Sequence, residues 1–191
     1  MRLIFATNNA HKVSEVKKVI GDKFEVISLK EFGFTDDIPE PHDTLEENAY
    51  EKSSVIHQKF DVNCFSEDTG LEVMALNGEP GVKSARYAGE KCLASDNIKL
   101  LLRKLEGIEN RQAQFRTVVS LILEGKEYQF EGIAKGKITH SQTGEKGFGY
   151  DPIFVPENFD RTFAEMNAAE KNEISHRGKA IEKLVKFLKN Y

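Results

Sequence analysis

The stretch Cys64-Phe65-Ser66-Glu67-Asp68-Thr69-Gly70-Leu71 decides how this chain is read. A short apolar run ends in two adjacent acids, a hydroxyl and a glycine. That is the pattern of a buried strand that delivers carboxylates to a sheet edge and then turns away. Successive side chains on a strand point to opposite faces, so only one of Glu67 and Asp68 looks squarely into a given site. Asp68, beside the expected turn residue Gly70, is the one expected there. Its carboxylate suits a hard cation such as Mg²⁺, which takes oxygen ligands and usually shares them with phosphates. Read alone, the stretch favours an acidic turn between two strands, because acid-plus-glycine turns are common. Phosphate-binding partners elsewhere in the chain have to decide between the two.

The amino-terminal region supplies some. Arg2 to Ala6 reads as a short buried strand that runs into Thr7-Asn8-Asn9-Ala10-His11-Lys12. Val13, Val16, Val19 and Ile20 follow at helical spacing, and Gly21 stands where a helix end favours glycine. A strand, a polar loop and a helix start make a natural anion site, because backbone N–H groups and the positive dipole end point outward there. Thr7 and Asn9 offer side chains and Lys12 adds charge; the plain alternative is a loop with Asn as helix cap. Glu25 to Leu29 reads as a second strand, and the Pro-containing segment from Glu31 to Asp43 as a loop. Thr44 and Glu47 form a capping box that opens a helix running to Phe60. Glu46 and Glu47 complement that helix's dipole. Glu40, in the loop before it, is better placed to reach a metal.

Downstream of Asp68 come the turn Gly78-Glu79-Pro80-Gly81 and the segment Ser84-Ala85-Arg86-Tyr87. Asp96 to Leu105 is an amphipathic helix with Ile98, Leu101, Leu102 and Leu105 on its apolar face. Ala113 to Leu123 and Tyr128 to Ile138 are strands joined through Glu124-Gly125-Lys126, a hairpin signal. In Gly147-Phe148-Gly149-Tyr150-Asp151-Pro152 the glycines let the backbone approach a flat ligand, with Phe148 as a face for a base and Asp151 as an acceptor. The alternative is a hairpin tip with a buried Phe148. Ala168 to Glu173 reads as a short helix, and Ile181, Leu184, Val185 and Leu188 stripe the last one. Lys171, His176 and Arg177 cluster near its start, where cations oppose the dipole unless something negative lies close.

Composition narrows the function classes. The 191 residues suit a single domain with a proper core, and 39% hydrophobic and 30% charged residues are ordinary for a soluble protein. A formal charge of −4 argues against non-specific binding to nucleic acid, although a few lysines can still hold a small polyanion. Two cysteines, Cys64 and Cys92, without a CxxC spacing point to a reducing, cytoplasmic setting. No apolar run approaches a signal peptide or a membrane span, so no membrane partner is expected.

Taken together, Thr7-x-Asn9-x-x-Lys12, Thr44-x-x-Glu47-Asn48-Ala49, Asp68-Thr69-Gly70, Ser84-Ala85-Arg86-Tyr87, Gly147 to Pro152 and Ser175-His176-Arg177-Gly178 resemble the inosine triphosphate pyrophosphatase family. These are the pyrophosphatases of non-canonical purine nucleoside triphosphates. The motifs keep the family's order and span nearly the whole chain. The resemblance implies one mixed α/β domain over residues 1–191: an elongated fold around a long twisted sheet, with two lobes and the nucleotide in the cleft between them. It also implies hydrolysis of XTP, ITP and dITP to the monophosphate and pyrophosphate, with Mg²⁺ as cofactor, in a homodimer.

Residue by residue, it implies that the loop Thr7, Asn8, Asn9, Ala10, His11 and Lys12 contacts the triphosphate and that Lys52 is a second phosphate-facing lysine. Asp68 matches the acid given as proton acceptor and metal ligand, and Glu40 a further metal ligand. Thr69 stands where many relatives have serine. Glu67 replaces a frequent aspartate, which leaves its part in metal binding open. Phe148, Gly149, Tyr150 and Asp151 match the base-contacting loop, and Lys171, His176 and Arg177 match nucleotide-binding positions. A donor from His176, Arg177 or a backbone N–H is expected to select the 6-oxo group of the purine. Two rival readings follow from the same residues: a pyrophosphatase for modified pyrimidine nucleotides, and a nucleotide-binding module without turnover.

Overall fold

The computed structural model describes residues 2–191. In chain order the elements are β1 (Arg2–Phe5), α1 (Ala10–Ile20), β2 (Glu25–Ser28), α2 (Leu29–Phe32), α3 (Leu45–Phe60), β3 (Cys64–Val73) and β4 (Pro80–Gly81). There follow α4 (Ala94–Lys104), β5 (Gln112–Leu123), β6 (Lys126–Ile138), β7 (Phe154–Pro156), α5 (Ala168–Ile174) and α6 (His176–Asn190). The fold is mixed α/β. Among the described residues the strands form one seven-stranded mixed sheet, in the order β2-β1-β3-β5-β6-β7 with β4 paired to β3. β1 runs parallel to both its neighbours, whereas β4 and β7 pair antiparallel.

The chain divides into two compact units, and β3, β5 and β6 pass from one to the other at residues 68/69, 116/117 and 132/133. The first comprises Met1–Asp68, Thr117–Gly132 and His176–Tyr191. Alternation along its strands sorts two layers. Leu3, Phe5 and Phe65 face α1 and α6 and pack with Val16, Ile20, Ile181 and Leu184. Phe5 and Phe65 stack at 4.5 Å between ring centroids. Ile4 and Cys64 face the other way, against Leu29 and Ile56. Because side chains alternate, Glu67 lies on the α1/α6 side with Phe65, and Asp68 on the α3 side with Cys64 and Ser66. At Gly132 an added Cβ would sit 2.0 Å from the His176 carbonyl oxygen, so this glycine is what lets β6 pass close to the start of α6.

The second unit, Thr69–Arg116 with Ile133–Ser175, has its own core. Leu71 and Val73 of β3 pack there with Ile98, Leu101, Phe115, Phe154 and Phe163. The expected hairpin is present: β5 and β6 are joined by Glu124-Gly125, both at positive φ, as a two-residue connection between twisted strands requires.

Two expectations need correction. Gly70 is not a turn: β3 continues through it to Val73. Its lack of a side chain serves close packing instead, since a Cβ there would meet the Gly81 carbonyl oxygen of β4 at 2.7 Å. Leu29 does not end β2; Ser28 caps a one-turn helix through a full capping box with Glu31.

Candidate active site

The two adjacent acids of β3 each hold a lysine, on opposite faces of the strand, within the first unit. Asp68 Oδ1 accepts from Lys52 Nζ at 3.1 Å, and the same ammonium donates to Glu40 Oε1 at 2.5 Å. Lys52 comes from the second turn of α3, whose start is fixed by the Thr44 side chain accepting the Glu47 N–H. Asp68 Oδ2 is buried and has no hydrogen-bond partner. A buried carboxylate oxygen left this way costs free energy, which a cation or an ordered water would recover. Burial pushes the Asp68 carboxyl up, only partly offset by the Lys52 and Lys12 charges, and Glu40 adds to the rise. Lys52 loses from its own burial, but Asp68 and Glu40 outweigh that and keep it protonated above its ordinary range.

On the other face, Lys12 Nζ lies 3.0 Å from Glu67 Oε1. Glu67 Oε2 accepts from Arg177 Nε at 2.7 Å, and Arg177 Nη1 donates to Glu15 of α1. Glu67 and Arg177 are each 1% exposed. Burial alone would raise the Glu67 carboxyl, but Arg177 and Lys12 outweigh it and hold the group well below the usual carboxylate range.

The loop before α1 is a helix cap as well as a candidate anion site. Asn9 Oδ1 accepts from the His11 and Lys12 N–H groups at 3.0 and 3.2 Å, and the Asn9 N–H donates to Thr7 Oγ1. Two of the backbone donors expected to face phosphate are therefore taken by a side chain of the same loop. Asn8, Ala10 and His11 are exposed, and Lys12 points back to Glu67.

In the second unit the Gly-rich loop is organised by a carboxylate. Asp151 Oδ2 accepts from the Phe148 N–H at 2.8 Å and from Lys171 Nζ at 2.7 Å. Gly147, at φ +75°, is forced here: a Cβ would fall 2.0 Å from Asp151 Oδ2. The Lys171 ammonium lies 5.1 Å from the centre of the half-buried Phe148 ring, a cation–π contact. The Ser84-to-Tyr87 segment is scaffolding: Ser84 Oγ accepts from the Leu71 N–H, Ser84 O accepts from Tyr150, and Asn97 ties Ala85 to Ala88. A separate depression in this unit, lined among others by Gln114, Lys135, Lys137 and Phe159, includes none of the residues singled out above.

A two-carboxylate donor set with an unsatisfied buried oxygen fits Mg²⁺, which is commonly held by one or two carboxylates and completes its shell with phosphates and water. Among the described residues no group of three or more His, Cys, Asp or Glu forms a self-sufficient metal cage.

Residues 3–187 match the model of the Ham1 family. The chain belongs to that family. It is 54% identical to a dITP/XTP pyrophosphatase of Flavobacterium johnsoniae over 98% of both chains. Its fold matches the Staphylococcus aureus Ham1 protein (TM-score 0.90, 39% identity, 100% and 99% of the two chains). It also matches a HAM1 protein from Coxiella burnetii (0.91, 34%, the full length of both).

In this Ham1 chain the residues singled out from the sequence fall into several separate groups. Asp68, Glu40 and Lys52 form one cluster, Lys12 pairs with Glu67 on the opposite face of β3, and Phe148, Asp151 and Lys171 form a cluster in the second unit. Arg177 has a structural role that its motif did not disclose. The Arg177 guanidinium is 1% exposed and binds both Glu67 and Glu15, so it braces the site. His176 is likewise buried, at the first residue of α6. The charge against the dipole at that helix start has its answer in Glu67 and Glu15. Glu15 was missed by sequence reasoning. Its signal was spacing alone: it lies three residues after Lys12, on the same face of α1.

Proposed function

We propose that this chain hydrolyses non-canonical purine nucleoside triphosphates (dITP, XTP and ITP) to the monophosphate and pyrophosphate, with Mg²⁺, as a cytoplasmic homodimer. The observation that carries the chemistry is the Glu40–Lys52–Asp68 cluster with its unsatisfied Asp68 oxygen. Relatives that share this chain over nearly its whole length and are named dITP/XTP pyrophosphatases support the substrate class. Free cysteines, one of them exposed, support a reducing setting, and among the described residues no helix is long and apolar enough to cross a membrane.

Asp68 and Glu40 would hold the metal ion, which when bound neutralises phosphate charge and makes water at the site more acidic. The side chains do the rest. Asp68 would mainly position the metal and a water aimed at the α-phosphorus, and the water's proton passes to solvent as the new P–O bond forms. The bond from that phosphorus to the bridging oxygen breaks, and pyrophosphate departs with the bonding electrons. Burial raises the basicity of Asp68 and a metal contact would lower it, which is why positioning rather than proton transfer is its main part. Lys52 and Lys12 meet the charge that develops on the leaving group, where fixed cations act without reorganisation. In the second unit the Asp151-clamped loop presents Phe148 and backbone N–H groups suited to a purine face and its 6-oxo oxygen.

The test is pyrophosphate release from dITP, XTP, ITP, GTP and ATP, with and without Mg²⁺, by the wild type and Asp68→Ala. Metal-dependent release confined to the oxo-purines and lost in the variant is expected. Equal turnover of all five would overturn the substrate class, and turnover by the variant would overturn the role of Asp68. Sedimentation equilibrium tests the dimer; a single species at monomer mass would remove it.

A further inference from the structure

Glu67 has no settled place in the reaction just described, yet it is one of the most buried carboxylates in the molecule. Its surroundings give it a task. Four charged side chains alternate in sign across the α1/α6 face of β3: Glu15, Arg177, Glu67 and Lys12. The four members come from three elements. Glu67 is fixed by the strand, Arg177 by the first turn of α6, and Glu15 and Lys12 by α1, one turn apart. Arg177 binds Glu67 through Nε and Glu15 through Nη1, so the guanidinium plane locks α6 to both neighbouring elements. What remains of Glu67 is Oε1, and it faces the Lys12 ammonium. Lys12 is the member whose side chain leads from this buried array toward the exposed loop of residues 8–11.

A lysine side chain has long, freely rotating reach and loses much rotamer freedom when it is fixed. A lysine meant to meet charge developing in a transition state works best if that loss has already been met in the resting protein. Glu67 does this for Lys12, and Arg177 does it for Glu67. Both Glu67 oxygens face cations, Oε2 through a hydrogen bond from Arg177 and Oε1 through the Lys12 ion pair, so its charge is already balanced without a metal. That is why the longer arm at position 67 serves where the following residue, Asp68, keeps the open oxygen.

We propose that Glu67, braced by Arg177, is the positioning residue for Lys12, fixing its ammonium for the phosphate groups of the substrate. The assignment of those groups rests on the function proposed above; the positioning itself does not. Two measurements separate them. In ¹H–¹⁵N spectra selective for lysine ammonium groups, a held Lys12 gives a slowly exchanging resonance, identified by its loss in Lys12→Arg. That resonance is expected in the wild type and absent in Glu67→Gln; its survival unchanged in Glu67→Gln would overturn the proposal whatever the substrate is.

The second measurement is a double-mutant cycle in kcat and KM on dITP. Glu67→Gln should lower kcat by about 10- to 100-fold, the scale of a small misplacement of a catalytic group. In a Lys12→Ala background the same change should alter kcat by no more than about 2-fold, because the group it positions is gone. Equal losses in both backgrounds would assign Glu67 a role independent of Lys12. Thermal midpoints identify variants that are merely unfolded. If Glu67→Gln is one of them, Glu15→Gln, which loosens Arg177 and leaves Glu67 in place, provides the same cycle with a smaller expected loss.

Discussion

Replacing Arg177 with Met should cost this protein a large part of its stability, and the cost should depend on pH. The side chain is fully enclosed and binds both Glu67 and Glu15; methionine keeps much of its length and none of its charge. Removing one partner of a buried ion pair leaves an uncompensated charge and costs about 3–5 kcal/mol. At about 2–4 °C per kcal/mol for a chain of this size, the thermal midpoint should fall by roughly 6–20 °C. The sign of the pH effect follows from Glu67. In the wild type its carboxyl is depressed by Arg177 and Lys12, against its burial. Its contribution is therefore fully present above the unfolded value of about 4.3 and is lost as pH falls through the folded one.

In the variant, burial dominates with only Lys12 opposing it, so the carboxyl rises and the penalty disappears once it takes a proton. The gap between wild type and variant should accordingly be wide near pH 7.5 and narrower at about pH 4. The assay is thermal unfolding followed by circular dichroism at both pH values, in chelator so that no divalent cation contributes. A variant within about 3 °C of wild type at neutral pH would refute the reasoning, since that corresponds to roughly 1 kcal/mol. So would a gap that stays constant with pH.

Other expectations are simpler. Burial pushes the Cys64 thiol up to about 12, whereas Cys92 is exposed, so a thiol reagent near pH 8 should label one equivalent in the native protein and two in denaturant. Two fast native equivalents would contradict the burial of Cys64. Gly132→Ala should destabilise by about 1–3 kcal/mol, because its Cβ would collide with the backbone of α6 at His176 and Ala180; unchanged urea midpoints would show that β6 can move aside. Lys171→Met should raise KM for dITP more than it lowers kcat, because it loosens the Asp151-clamped loop and leaves the Asp68 cluster of the other unit intact. A pure kcat effect would place Lys171 in the chemistry.

The helices and strands were legible because most carry their own signals. Capping at Thr44, the apolar stripe from Ile181 to Leu188 and the Glu124-Gly125 hairpin are local, and local rules decided them. Gly70 was misread because a glycine after acids looks like a turn, while its actual reason, the approach of Gly81 from eleven residues on, is a property of pairing. The site was half legible for the same reason. Residue types suited to metal and phosphate at Asp68, Glu40, Lys12 and Lys52 could be recognised one by one. The partner each would choose could not. Arg177 looked like a ligand donor although Glu173 and Glu182 lie near it in sequence; the carboxylates it binds come from 110 and 162 residues away.

That distance also explains how two adjacent acids come to do different work. A strand must send neighbouring side chains to opposite faces, so Glu67 and Asp68 necessarily meet different helices. On the α1/α6 side two cations are waiting, and the carboxylate is consumed in holding them. On the α3 side one lysine is shared with Glu40, which leaves an oxygen unsatisfied. Counting the groups named on both faces, four carboxylates meet three cations, so the resting cluster does not carry the positive excess expected of a polyanion site. A nucleoside triphosphate arriving there brings several more negative charges, and Lys12 and Lys52 are already engaged by carboxylates. On the proposed function such a substrate needs added positive charge, and Asp68 Oδ2, buried without a hydrogen bond and without a cation of its own, is where a cation would gain most. The metal dependence proposed above is what this pairing of acids and lysines leads one to expect, and activity that persists in chelator would refute it.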